Sequence, residues 1–294
     1  MPIYERSLAN FDAALSLLDG VCHAERVSIP YRDPDTDKTW QLPGIIYVPV
    51  EDKRLHLGPE GTAPTTVPVL VNTCGADSSQ EEHFFCYPIA GVELGYAVFT
   101  FEGPGQGIVL RRHGLPFRPD WEVATSAVLD KLFALAAERP EWALDMSRVG
   151  LAGASMGRYL ALRGAADPRL KACVSVDPFY SLWEFASARL PGAVVTLWTN
   201  GWLPDAGLDA MARVARYSTE LFRRVMQFAF GGGPVQEVDD GKGPDEYLHR
   251  IKCPVLVTGA GQSLYFKLAW TWENNPKLTT VAVITLTFEQ QSFD

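Results

Sequence analysis

The sequence predicts an α/β fold: a mostly parallel, doubly wound sheet with helices on both faces. Two patterns carry this expectation. Runs at residues 67–73, 96–101, 149–152, 171–176 and 253–258 are short and predominantly apolar without a polar alternation, as strands buried on both faces are. Stretches with apolar residues at helical spacing separate several of them. A third observation is size. The chain has 294 residues, 47% of them hydrophobic and 21% charged, enough to bury about three quarters of its unfolded surface without disulfide staples.

In chain order, residues 10–18 read as a helix with Asn10 as cap and Gly20 as stop. Strands at 24–30 and 44–50 follow, joined by a polar turn through Asp33 and Lys38. Residues 51–64 are polar and rich in Gly and Pro and read as a loop. Strand 67–73, a helix over 84–94 and strand 96–101 come next. Asp120 then caps a long helix running to about Glu138. Strand 149–152, a helix over 156–166 and strand 171–176 complete the regular part. Residues 178–250 break the rhythm with Trp183, Trp198 and Trp202 on helix-like segments. Inserted after the sixth strand, at the carboxyl end of the sheet, they read as a helical lid. Residues 1–177 and 251–294 then form the core, with strand 253–258 in the second part and strand composition again at 279–286.

Several function classes are excluded early. There are 26 Lys plus Arg against 35 Asp plus Glu, a formal net charge of −9, and no basic run. That argues against a nucleic-acid partner and against docking on an anionic membrane. Residues 1–12 carry Glu5, Arg6 and Asp12 rather than the apolar stretch of a secretory signal, and no window approaches the ~18 apolar residues of a membrane span. The five cysteines (Cys22, Cys74, Cys86, Cys173, Cys253) are odd in number and widely spaced, with no C-x-x-C, which suits free thiols in a reducing compartment. A cytoplasmic protein is expected.

The chemistry concentrates in Val149-Gly-Leu-Ala-Gly153-Ala-Ser155-Met156-Gly157-Arg158. A G-x-S-x-G between a strand and a helix is the nucleophile-elbow pattern: small flanking residues let the helix pass close to the strands while the serine oxygen stands clear. Phe101-Glu-Gly-Pro-Gly-Gln-Gly107 is rich in glycine, but its spacing is not the G-x-G-x-x-G that sets a helix N-terminus on a pyrophosphate. It reads as a turn shaping the pocket floor, and neither a cofactor nor a metal is expected.

With Val71-Asn-Thr-Cys-Gly-Ala-Asp-Ser-Ser-Gln-Glu-Glu82 and Cys253-Pro-Val-Leu-Val-Thr-Gly-Ala260, these stretches resemble the α/β-hydrolases. More narrowly, they resemble the fungal secondary-metabolite hydrolases of fusarin-type and cytochalasan-type clusters, and are similar to naphthopyrone hydrolase and dihydropseudooxynicotine hydrolase. The resemblance runs from about Val67 to Phe266. It implies Ser155 as nucleophile, with an oxyanion hole made by the backbone N–H of Met156 and that of Ala76 or Gly75. Glu81 and Glu82 read as charges at a helix N-terminus rather than acid–base groups.

A serine hydrolase also needs a base, oriented by an acid, and the fold orders them Ser, acid, His. The only histidine after Ser155 is His249, which precedes strand 253–258 and so lies roughly 15 Å from the active end. The acid position implied by the resemblance, three residues past Gly259, holds Gln262. Asp177, at the end of the sixth strand, is the substitute acid. His83 and His113 follow the third and fourth strands and are the candidate bases. After Phe266 the resemblance ends, without the last strand, histidine loop and helix it implies, so the C-terminal part reads as truncated or divergent. Arg158, where close helix packing favours Gly, is another departure.

The resemblance implies a small-molecule substrate, a bulky polyketide or polyketide–amino acid, undergoing ester, thioester or C–C hydrolysis or ring closure. A homodimer is allowed. Two rivals stand beside this: a catalytically impaired hydrolase-fold protein that binds ligand or partner, and a non-covalent acid–base cyclase using Asp177 or a lid carboxylate.

Overall fold

The computed structural model describes residues 2–55, 66–176, 192–203, 245–260 and 281–286. Among them run eight strands: β1 (Cys22–Arg32), β2 (Thr39–Pro49), β3 (Val67–Thr73), β4 (Ala97–Phe101), β5 (Leu144–Gly153), β6 (Ala172–Val176), β7 (Val255–Ala260) and β8 (Val281–Leu286). They form one sheet in the order β1-β2-β4-β3-β5-β6-β7-β8. β2 pairs antiparallel with both β1 and β4, and every pair from β4 across to β8 is parallel. The helices are α1 (Pro2–Leu15), α2 (Pro88–Glu93), α3 (Gly107–His113), α4 (Trp121–Glu138), α5 (Gly157–Gly164), α6 (Gly192–Thr199) and α7 (Asp245–Leu248).

Side chains alternate across each strand, and the core divides accordingly. Ile46, Val48, Phe99 and Leu151 pack in the larger cluster with Trp121, Leu129 and Leu160 of α4 and α5. Ile45, Tyr47 and Val98 point the other way and pack with Val92 and with Phe11, Leu15 and Phe84. Trp121 is fully buried and near-parallel to Phe101 at 6.2 Å. It also lies under Gly103, where a Cβ would come within 2.5 Å of its ring. Trp121→Ala is therefore expected to cost about 3–5 kcal/mol, read as a shift of the urea midpoint at unchanged slope.

Several local expectations need correction. Helix α1 begins at Pro2 and leaves Asn10 inside it; a proline in the first turn loses no helical hydrogen bond. A 3₁₀ turn, Ser16–Leu18, continues it. β1 and β2 extend well beyond 24–30 and 44–50, because an eleven-residue antiparallel register pairs them from Cys22↔Pro49 to Arg32↔Thr39. The 84–94 helix is broken: a 3₁₀ turn over Glu82–Phe85 precedes α2, which starts at Pro88. Asp120 occupies the N-cap of α4 without capping it, since Arg118 takes both its carboxylate oxygens at 2.9 and 3.0 Å. The strand after Phe266 is present as β8, parallel to β7. The lid assigned to 178–250 falls largely outside the described residues, as do Asp177 and Gln262. Among the described residues all five cysteines are free, four of them buried, and no helix is long and apolar enough to cross a membrane.

Candidate active site

Sheet register assembles the site. β3 ends at Thr73 and β5 at Gly153, and these residues are direct neighbours in parallel strands. The chain therefore leaves both strands side by side, with 74–76 beside 154–156.

Ser155 has φ +57°, a left-handed conformation that side chains rarely adopt. It is exposed while Met156 and Gly157 beside it are buried. Both glycines of the motif are needed. A Cβ on Gly153 would lie 2.0 Å from the Gly157 carbonyl oxygen, and one on Gly157 would lie 2.5 Å from that of Thr73. Arg158 folds its guanidinium back so that Nε donates to the Ser155 carbonyl; it lies along the turn instead of keeping helix and strand apart. Gly75 leaves room beside the serine: a Cβ there would stand 3.2 Å from Ser155 Cβ and 3.4 Å from its Oγ.

The two donors left open for the second oxyanion position are distinguishable. Gly75 N–H donates to Ser78 Oγ at 3.2 Å, whereas Ala76, half-buried beside it, donates no hydrogen bond among the described residues. Ser155 Oγ likewise has no hydrogen-bond partner among them.

The three histidines weighed as bases fall in different environments. His83 is buried, and its Nδ1 lies 2.7 Å from Asn72 Oδ1. Because Asn72 Nδ2 donates to the Ala152 carbonyl at 3.1 Å, its oxygen faces the ring, so Nδ1 carries the proton and Nε2 is the basic nitrogen. Burial holds the His83 pKa below its usual value. His113 ends α3, exposed, with its ring 5.0 Å from Trp40. His249 is exposed and precedes β7. Neither His83 nor His113 is hydrogen-bonded to Ser155.

Two buried residues of the glycine-rich stretch, Glu102 and Gln106, had no role in the sequence reading. Glu102 accepts from Gln80 N–H at 3.0 Å and Ile108 N–H at 2.7 Å. Burial, reinforced by nearby Glu81, pushes its pKa up to about 7 against these hydrogen bonds. Glu81 is not a solvated helix-end charge: it is buried and lies 3.0 Å from the Arg26 guanidinium. Glu82 is exposed in the first turn of its 3₁₀ segment.

A pH dependence follows from Glu102. Between about pH 4.5 and 7 the folded protein holds a proton that the unfolded chain has released, so this group's contribution to stability falls as pH rises through that window and levels off above it. The urea midpoint of Glu102→Gln should show less of this decline than that of the wild type.

Among the described residues no group of three His, Cys, Asp or Glu could hold a metal ion. A cavity of about 640 Å³ lies between α2 and the β3–β5–β6 face, and another of about 500 Å³ lies beside α4. Neither is lined by Ser155.

No family model matches the chain. It is 42% identical over 289 residues to a hydrolase of Aspergillus flavipes (ffsE), covering 90% of this chain and 59% of that protein. It is 45% identical over 287 residues to an alpha/beta hydrolase of Aspergillus fumigatus (psoB), covering 92% and 60%. The chain thus spans about three fifths of the length of these relatives. Among solved structures it is similar to 2,6-dihydroxy-pseudo-oxynicotine hydrolase, with TM-score 0.64 and 20% identity over 97% of this chain and 66% of that one. It is also similar to an acylaminoacyl peptidase of Pyrococcus horikoshii, with TM-score 0.55 and 15% identity over 93% and 39%.

Proposed function

We propose that the chain is an α/β-hydrolase that acts as a serine hydrolase through Ser155, a reading supported by its 45% identity over 287 residues to an alpha/beta hydrolase of Aspergillus fumigatus. The observation that carries this reading is the serine itself, exposed at positive φ on a strand-to-helix turn, beside a glycine whose Cβ would stand 3.4 Å from its oxygen. Ser155 Oγ attacks a substrate carbonyl, and the negative charge that develops on the carbonyl oxygen is held by the N–H groups of Ala76 and Met156. Donors fixed before the reaction act on the transition state without reorganising. The substrate class is a bulky, largely apolar polyketide or polyketide–amino acid, cleaved at an ester, thioester or C–C bond or closed into a ring. Asp177 is the acid, and the base is His83 or His113. His83 has the ordered tautomer a base needs; His113 has the freer side chain.

The test is hydrolysis of p-nitrophenyl esters of increasing acyl length. Turnover that rises with chain length and disappears in Ser155→Ala supports the proposal. Turnover equal in the two proteins refutes the covalent role.

The absence of any hydrogen bond to Ser155 Oγ among the described residues favours a second reading, ligand binding without turnover. Under that reading neither protein hydrolyses the esters, and apolar acyl ligands bind both equally.

A further inference from the structure

We propose that Gln106 is a positioning residue that aims the Ala76 N–H at the substrate oxygen; this rests on the reading of Ser155 as nucleophile. Gln106 is fully buried. Its Nε2 donates to two consecutive carbonyls of the strap beside Ser155, Cys74 at 2.6 Å and Gly75 at 3.2 Å. Its Oε1 accepts from Gly103 N–H at 2.9 Å. With two acceptors at one end of the carboxamide and a donor at the other, only one orientation of the amide satisfies all three.

The consequence follows from peptide planarity. In a trans peptide the C=O and N–H of one unit point in opposite directions. Holding the Cys74 carbonyl inward turns Gly75 N–H the other way, where Ser78 Oγ accepts it. Holding the Gly75 carbonyl inward likewise turns Ala76 N–H away from Gln106, and this donor has no partner among the described residues. The strap runs beside the nucleophile, since a Cβ built on Gly75 would stand 3.2 Å from Ser155 Cβ and 3.4 Å from its Oγ.

Glu102 fixes the far end of the same strap by accepting Gln80 N–H, and ties it to α3 through Ile108 N–H. The glycines between them are also constrained. A Cβ on Gly107 would fall 2.2 Å from the Glu102 carboxylate, and one on Gly105 would fall 2.3 Å from the Phe117 ring. The stretch 101–107 is thus a clamp on the strap, and Gln106 is the part of it that sets the tilt of the two peptides next to Ser155.

The experiment compares two reagents on the full chain, a fluorophosphonate (P=O) and its thio analogue (P=S), following Ser155 modification by intact mass. Sulfur is the weaker hydrogen-bond acceptor, so the P=O over P=S rate ratio reports the donor and not general folding. Gln106→Ala removes the clamp. Gln106→Met keeps the length of the side chain but loses the donor. Both are expected to label about 10–100-fold more slowly with P=O and to lose most of the ratio. A ratio equal to that of the wild type in a folded variant overturns the proposal while leaving Ser155 as nucleophile. No labelling of the wild type removes the nucleophile reading and this proposal with it.

Should both variants fail to fold, the crystal structure of the phosphonylated wild type decides. A phosphoryl oxygen within about 3.1 Å of Ala76 N, with Gln106 still on the Gly75 carbonyl, supports the proposal. An oxygen placed elsewhere overturns it.

Discussion

Gly157→Ala is expected to destabilise the protein by about 3 kcal/mol or more, the upper range for overpacking. The added methyl would stand 2.5 Å from the Thr73 carbonyl oxygen and 2.9 Å from that of Cys74. Both are backbone atoms at the end of a central strand, so no side-chain rotation relieves the clash, and α5 must lift away from β3. α5 is buried along its whole length, from Gly157 to Gly164, so lifting it opens the core behind the site. For a domain of this size the loss corresponds to a fall in the melting temperature of roughly 5 °C. A melting temperature within about 2 °C of the wild type would show that the turn has slack the structure does not reveal.

Gly75→Val should do the reverse, leaving the fold nearly intact and abolishing the chemistry. The first atom a Cβ meets there is Ser78 Oγ at 2.9 Å, the tip of a side chain that can turn, followed by Ser155 Cβ at 3.2 Å and Oγ at 3.4 Å. The branched side chain stands where the carbonyl under attack has to sit, against the serine oxygen. Ester hydrolysis and covalent labelling are expected to fall by about a hundredfold or more, with a melting temperature close to that of the wild type. The two glycines lie close to the same serine, yet one is required for packing and the other for access. Equal labelling by Gly75→Val would mean that substrate approaches Ser155 from another side.

The positions of the parallel strands and the strand-to-helix turn at Ser155 are legible in the sequence because their signals are local. Runs such as Val67–Thr73 are apolar on both faces, and Gly153-Ala-Ser155-Met-Gly157 sits between strand and helix patterns. What escaped depends on residues far apart in the chain. Helix α3 has no signal in the sequence because nothing adjacent caps it; its N-terminal N–H at Ile108 is satisfied by the Glu102 carboxylate six residues earlier, outside the usual capping positions. Glu102 and Gln106 had no role for the same reason, since their partners are Gln80, Cys74 and Gly75, reached only once β3 and β4 pair. Asp120 was expected to cap α4, but Arg118, the residue two before it, competes for its carboxylate. The break at Pro88 could have been read from the proline alone, which ends a helix or begins one. For Asp177 and most of the expected lid the described residues offer no comparison.

The central claim is that Ser155 is an activated nucleophile, and intact-mass labelling with a fluorophosphonate tests it most directly, using Ser155→Ala as control. The account predicts one adduct per chain, absent from the control, with slower labelling in His83→Gln or His113→Gln identifying the base. A folded wild-type protein that takes up no adduct, or one whose adduct survives Ser155→Ala, would contradict it.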